Sequence, residues 1–138
     1  MRTSLLLSSA AICIGIACTV DARSPQLPAS EAGFVSQVFV ALGLATLCPG
    51  YRVVEGGSNH LASRLGVDGN TLIDSIEEVV KFHKGIAYDP SKYLPEVDRE
   101  GMAALTRVGK IVSANPPIAC EALGNAYIAS GLLARAQK

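Results

Sequence analysis

Two cysteines, Cys48 and Cys120, are the residues of this chain whose chemistry the sequence constrains most. They lie too far apart in sequence for a Cys-x-x-Cys redox motif. In an oxidising compartment two such thiols usually pair, and the bond would close a long loop of the chain. A pair of buried, unpaired thiols is the alternative.

The two histidines, His60 and His83, belong to no visible metal or catalytic pattern. A zinc site needs three or four clustered ligands, often two of them four residues apart on one helix. Val79 lies four residues before His83, and no acidic residue lies four residues after it. We therefore expect His60 in a loop, His83 as a half-buried helix residue, and neither a metal nor a cofactor.

Two partial motifs are chance matches. Tyr88 and Lys92 have the Tyr-x-x-x-Lys spacing of short-chain dehydrogenases, but no strand and glycine-rich turn for a dinucleotide precede them. A run that begins at Asp68 partly matches a calcium loop, but Ile73 occupies the position where that loop requires glycine.

Glu77 and Glu78 are adjacent acidic residues in a predicted helix. Neighbouring helix positions point about 100° apart, so the pair is typical of a solvated face and does not form a carboxylate dyad. No set of nucleophile, base and orienting residue is visible. The sequence therefore predicts a protein that is not an enzyme.

Residues 1–22 have the three parts of an export signal. Arg2 precedes an apolar run over residues 5–20, and small or β-branched residues lead to a cleavage site after Ala22. Two alternatives are a retained membrane anchor, for which the run is short, and a lipid on Cys18. The preferred interpretation is a cleaved, soluble protein of the periplasm or the secreted fraction.

The composition indicates one small domain without a nucleic-acid or membrane surface. The chain has 12 basic and 12 acidic residues, and the export segment contains one of each. Such neutrality disfavours an anionic partner, which requires clustered positive charge. We expect residues 23–30 to be extended, because prolines disfavour helix before them, and residues 31–138 to form the domain.

Apolar periodicity predicts five helices and no strand. The first starts at Glu31 with Ser30 as its cap and ends before Cys48. A short one ends at Gly66, after the break at residues 56–57. The third follows the cap Asp68 and ends at Gly85, and the fourth starts with Asp98 as its cap. The last, capped by Asn115, covers about residues 118–134. The fold class is an all-α bundle of four to five helices with one disulfide, Cys48 to Cys120.

Small residues recur along the last predicted helix. Gly124, Tyr127 and Gly131 mark a shallow face that a partner helix could approach closely, although internal packing is the commoner use of such a face. This face is the candidate surface for a protein partner whose identity the sequence leaves open.

The combination of segments resembles a family of small exported alphaproteobacterial proteins defined as a domain of unknown function. The resemblance rests on Cys48-Pro49, on Leu65-Gly66-Val67, and on the segments 120–124 and 127–131. The break at residues 56–57 departs from that family, which has a more continuous helix there. The resemblance implies a periplasmic helical domain with one disulfide, and it implies no activity.

Three functions fit these observations. The first is a non-enzymatic binding or accessory domain of the periplasm. The second is an acid-stress chaperone, similar to small periplasmic helical proteins that loosen at low pH when carboxylates become protonated. The third is an effector that is secreted towards a host.

Overall fold

The computed structural model of the protein describes residues 25–137, which form five helices and one small sheet. The elements in chain order are α1 (Ala29–Leu47), β1 (Tyr51–Val53), α2 (Gly57–Leu65), α3 (Gly69–His83), α4 (Pro95–Ala114), α5 (Pro116–Ala129) and β2 (Leu133–Arg135). The predicted all-α bundle with one disulfide is confirmed. The predicted export segment, with Cys18 and Ala22, lies outside the described residues.

The helix α1 forms the centre of the bundle and packs closely along α4. The Phe39 ring covers Gly101, and Gly43 faces Leu105 and Val108. Residue numbers rise together across this contact, so the two helices run in the same direction. By length and composition α1 could also cross a membrane, as many core helices could. In this fold it supplies buried core residues along its length.

The starts of the helices differ in part from the predictions. Asp68 caps α3 as predicted, because its side chain accepts a hydrogen bond from the Asn70 amide at 3.2 Å. The predicted caps Ser30 and Asp98 lie inside their helices instead, since α1 starts at Ala29 and α4 starts at Pro95. Proline fits the first turn of a helix, where its missing N–H is not needed.

The last helix is shorter than predicted and is followed by a strand. It ends at Ala129, and Gly131 turns the chain with φ of 83° before β2. The two strands are antiparallel, with Tyr51 opposite Arg135 and Val53 opposite Leu133. Apolar periodicity did not predict this sheet. It joins the C-terminal segment to the residues that follow α1.

The disulfide links the end of α1 to the first turns of α5. Cys48 and Cys120 are bonded, with their Cα atoms 5.6 Å apart and a sequence separation of 72. Cys48 is buried in the core beside Leu44 and Tyr51. The alternative of two unpaired thiols is wrong for this structure.

Candidate functional site

An apolar groove lies between α1 and α4, next to the C-terminal end of α3. We call it the α1–α4 groove. The helix α1 gives it five residues at helical spacing, which are Phe39, Leu42, Gly43, Thr46 and Leu47. Successive turns of one helix therefore form its floor. The span from the first to the last of these residues is about 12 Å, at 1.5 Å per residue.

Two other helices form the walls of the α1–α4 groove. The helix α4 contributes Met102, Leu105 and Gly109, and the end of α3 contributes Val80, His83 and Lys84. Its volume is about 480 Å³, within the range of sites for small ligands. A Cβ atom added at Gly109 would have no neighbour within 4 Å, so the groove is open at this position.

A second apolar depression of about 270 Å³ adjoins the first. Leu42 and Val80 line both depressions, so these two residues mark the point where they meet. The second is lined further by Ile73 and Ile76 of α3, and by Leu132 after α5. Together the two depressions form a mainly apolar surface around Leu42 and Val80, with the carboxylate of Glu77 in the lining of the second.

A short hydrogen-bonded chain fixes one edge of the α1–α4 groove. His83 Nε2 donates to a carboxylate oxygen of Asp98 at 2.7 Å, and the Tyr93 hydroxyl donates to the other oxygen. The bond to Asp98 raises the pKa of Tyr93 to about 12. The side chain of His83 is 40% exposed, which agrees with its prediction as a half-buried helix residue.

The residues between α3 and α4, which we call the 84–94 segment, are held by polar side chains of α3. Glu78 Oε2 accepts the Asp89 amide at 2.6 Å, and the buried Ser75 hydroxyl accepts the Leu94 amide at 3.0 Å. Glu78 was predicted on a solvated face, and it is buried because it binds this segment. Burial of a carboxylate is tolerated where donors satisfy its charge.

Cations and donors around Glu78 stabilise its charged form. Lys81 Nζ lies 2.8 Å from Glu78 and 3.0 Å from the exposed Glu77. The hydrogen bond from Lys81, and then that from the Asp89 amide, lower the pKa of Glu78 below its ordinary value of 4.5. The same contact with Glu78 raises the pKa of Lys81. The 84–94 segment is therefore fixed most firmly while this carboxyl group is charged.

The residues of the rejected motifs also have structural roles in this segment. Lys92 forms an ion pair with Asp74 at 3.0 Å, and the Tyr88 ring contacts the rings of Phe82 and Tyr93 with centroids 5.3 and 5.6 Å away. Hydrogen bonds from Ser91 lower the pKa of Asp89. These contacts give Tyr88, Asp89 and Lys92 structural roles within the fold.

The candidate partner-helix face does not form one exposed helix surface. Gly124 is buried under the Tyr51 ring, and Gly131 lies beyond the end of α5. Tyr127 is partly buried against the core. Packing of the Tyr51 ring on the backbone explains why position 124 has a glycine. The Arg135 guanidinium group also contacts this ring, with its central carbon 5.0 Å from the ring centroid.

The candidate metal ligands stay apart. His60 lies in α2, where a loop was predicted, and His83 lies at the end of α3. Among residues 25–137, no three histidine, cysteine or acidic side chains are grouped as a metal site would require.

The chain was compared with family models, with curated proteins and with solved structures. None of the three comparisons finds a match. The resemblance to exported alphaproteobacterial proteins stays a prediction.

Sequence reasoning did not find the α1–α4 groove or the contact between His83 and Asp98. The groove is a gap between helices, and apolar periodicity does not distinguish a residue that packs on a neighbour from one that lines a gap. The pair joins residues 15 positions apart on two helices, beyond the spacing at which one helix brings side chains together.

Proposed function

We propose that this protein is an exported, non-enzymatic binding domain that holds an apolar ligand in the α1–α4 groove. The observation that carries the proposal is the groove itself, with an apolar floor on α1 and open space at Gly109. Removing apolar surface from water contributes about 25 cal/mol per Å². A ligand seated along Leu42 and Leu105 would gain this contribution.

The polar groups of the groove support binding more than catalysis. The Thr46 hydroxyl donates to the Leu42 carbonyl at 3.0 Å, so its proton is not directed to His83. His83 is bound to Asp98, and no other hydroxyl or thiol lines the groove in the part of the chain that the structure describes. The disulfide is compatible with an oxidising compartment, and thus with export.

The test is a fluorescence titration of the oxidised protein with N-phenylnaphthylamine, an apolar probe that becomes brighter in an apolar site. We expect saturable binding at one site. Gly109→Leu should weaken binding of the probe about tenfold or more. Gly109 lines the groove, and an added Cβ atom there has no neighbour within 4 Å, so a leucine side chain can be accommodated and would fill the space that the probe needs.

Gly33→Leu is the matched control. Gly33 is also a helical glycine with open space around an added Cβ, and it does not line the groove. The control should bind the probe as the wild type does. Absence of saturable binding to the folded wild type, or equal binding by Gly109→Leu, would overturn the proposal.

The acid-stress chaperone remains a second candidate, which the carboxylate contacts of the 84–94 segment favour. Glu78 and Asp89 have lowered pKa values because their charged forms accept hydrogen bonds in the fold. Protonation at about pH 3, below the usual carboxyl range, would release these contacts and loosen the segment. Phe82 and Tyr88 would then become more accessible.

Its test is aggregation of an acid-sensitive client enzyme, followed by light scattering at neutral pH and at about pH 3. We expect protection in acid alone, together with loss of the near-ultraviolet circular dichroism of the tyrosines. A protein that keeps this signal in acid and leaves the client aggregating would rule out the chaperone.

A further inference from the structure

The charged groups that line the α1–α4 groove itself are cationic, whereas Asp98 lies at its edge, bound to His83, and Glu77 lines the adjoining depression. Lys84 and His83 line its α3 end, and no acidic side chain lines the groove among the described residues. Lys81 and Lys92 each form ion pairs with acidic residues, whereas Lys84 has no such partner within residues 25–137. The groove thus combines an apolar floor with an available ammonium group at one end.

The shape of the groove favours a linear ligand. Its floor follows about 12 Å of α1 over successive helical turns, and the second depression adjoins it at Leu42 and Val80. A compact ring system would leave much of this length unfilled. An unbranched alkyl chain can lie along it and contact successive turns of α1 and α4.

We propose that the ligand is an amphipathic anion with one alkyl chain, such as a fatty acid, whose carboxylate pairs with Lys84. The inference rests on the proposed function and specifies the ligand of the same site. The chain would lie over Leu42 and Leu105 towards Gly109. Its carboxylate would accept hydrogen bonds from the Lys84 ammonium group, which carries three donors.

Asp98 limits the role of His83 in this pairing. The imidazole Nε2 is already bound to Asp98, so the charge of a protonated His83 would be shared with an acid of this chain. Lys84 is therefore the residue on which the head-group preference depends. Because Lys84 is exposed, the effect of its charge on affinity should be moderate and should weaken with salt.

The test compares decanoate, decanol and decyltrimethylammonium by displacement of bound N-phenylnaphthylamine from the oxidised protein, with the two ions below their micelle concentrations and decanol below its solubility limit. The three have the same chain and carry a negative, neutral or positive head group. For Lys84→Gln we expect decanoate to bind about fivefold more weakly, which corresponds to a typical exposed ion pair. Decanol should bind within about twofold of its wild-type affinity.

Lys110→Gln is the control for net charge, because Lys110 is an exposed cation of α4 that does not line the groove. It should leave the affinity for decanoate unchanged.

If Lys84→Gln leaves decanoate unchanged while Gly109→Leu weakens all three ligands, the head-group inference is wrong and the proposed groove stands. If the wild type binds none of the ligands and no probe, both proposals fall.

Discussion

The two ends of this bundle are held together by different interactions. At the end where α1 and α4 terminate, the disulfide, the small sheet and the Tyr51 ring over Gly124 join α5 and the C-terminal segment to the core. At the other end, the 84–94 segment is held by Glu78, Asp98 and other polar side chains. A covalent bond and apolar packing are insensitive to pH, whereas charged carboxylates are not.

This difference shows which part of the fold can respond to its surroundings. The α1–α4 groove lies between the two ends, and His83 connects its edge to Asp98 at the polar end. A drop in pH would therefore affect the α3 side of the groove before it affects the disulfide end. The following experiments break either end in turn.

Removing the disulfide should have the largest effect. In the double variant Cys48→Ala and Cys120→Ala, the free energy of unfolding should fall by about 4 kcal/mol, because the bond closes a loop of this length in the unfolded chain. Urea denaturation at neutral pH measures the loss. Wild type treated with reductant should show a similar loss, and a change below about 1 kcal/mol would contradict the role given to the bond.

The contact between Tyr51 and Gly124 should have the next largest effect. A Cβ atom in Gly124→Ala would overlap the Tyr51 ring, so we expect a loss of about 1–3 kcal/mol. The matched variant Gly33→Ala has open space around its Cβ and should gain roughly 0.5–1 kcal/mol from the better helix former. Equal changes in the two variants would show that Tyr51 does not occupy this position.

At the polar end, Glu78→Gln should cause a smaller loss that depends on pH. The charged carboxylate stabilises the fold above its unfolded pKa near 4.5, and this contribution disappears as pH falls through the lowered pKa of the folded state. Wild type and variant should thus differ at neutral pH and converge at about pH 3. Urea midpoints across this range provide the measurement.

Glu77→Gln is the control for that experiment. Glu77 contacts the same Lys81, but its side chain is 63% exposed and does not bind the 84–94 segment. The variant should match the wild type at every pH. A loss as large as that of Glu78→Gln would mean that charge on this face matters more than the contact with Asp89.

Tyr93 should give the smallest effect, at alkaline pH. The folded state keeps the Tyr93 proton because the hydroxyl donates to Asp98, and its pKa rises from 10.0 to about 12. This contribution is present below pH 10.0 and is lost as pH rises towards 12. The melting temperature of Tyr93→Phe should therefore fall less steeply with rising pH above 10.0 than that of the wild type. An equally steep fall in both proteins would contradict the bond between Tyr93 and Asp98.

Local signals in the sequence predicted much of the fold. The cap at Asp68 and the glycine after α2 placed α3 correctly, because both signals act within a few residues. The disulfide was inferred from the predicted export signal and from the number of cysteines. Each of these inferences depends on chemistry that neighbouring residues or the compartment determine.

Contacts between residues far apart in sequence could not be predicted from such local signals. The strands contain three residues each, too few for a recognisable alternation, and they pair across most of the domain. Gly124 was assigned to a partner helix because the sequence does not show that Tyr51 reaches it. The α1–α4 groove could not be predicted, because its shape depends on how far α3 extends along α1.

The most direct test of the binding proposal is to map a ligand onto the backbone of the protein. Amide chemical shifts of ¹⁵N-labelled, oxidised protein would be followed during titration with decanoate below its micelle concentration. We expect saturable changes at Gly43, Lys84 and Gly109, which line the groove, and no changes at Gly124 and Gly131 near the disulfide end. Changes centred on those two glycines, or none that saturate, would contradict the assignment of the α1–α4 groove as the binding site.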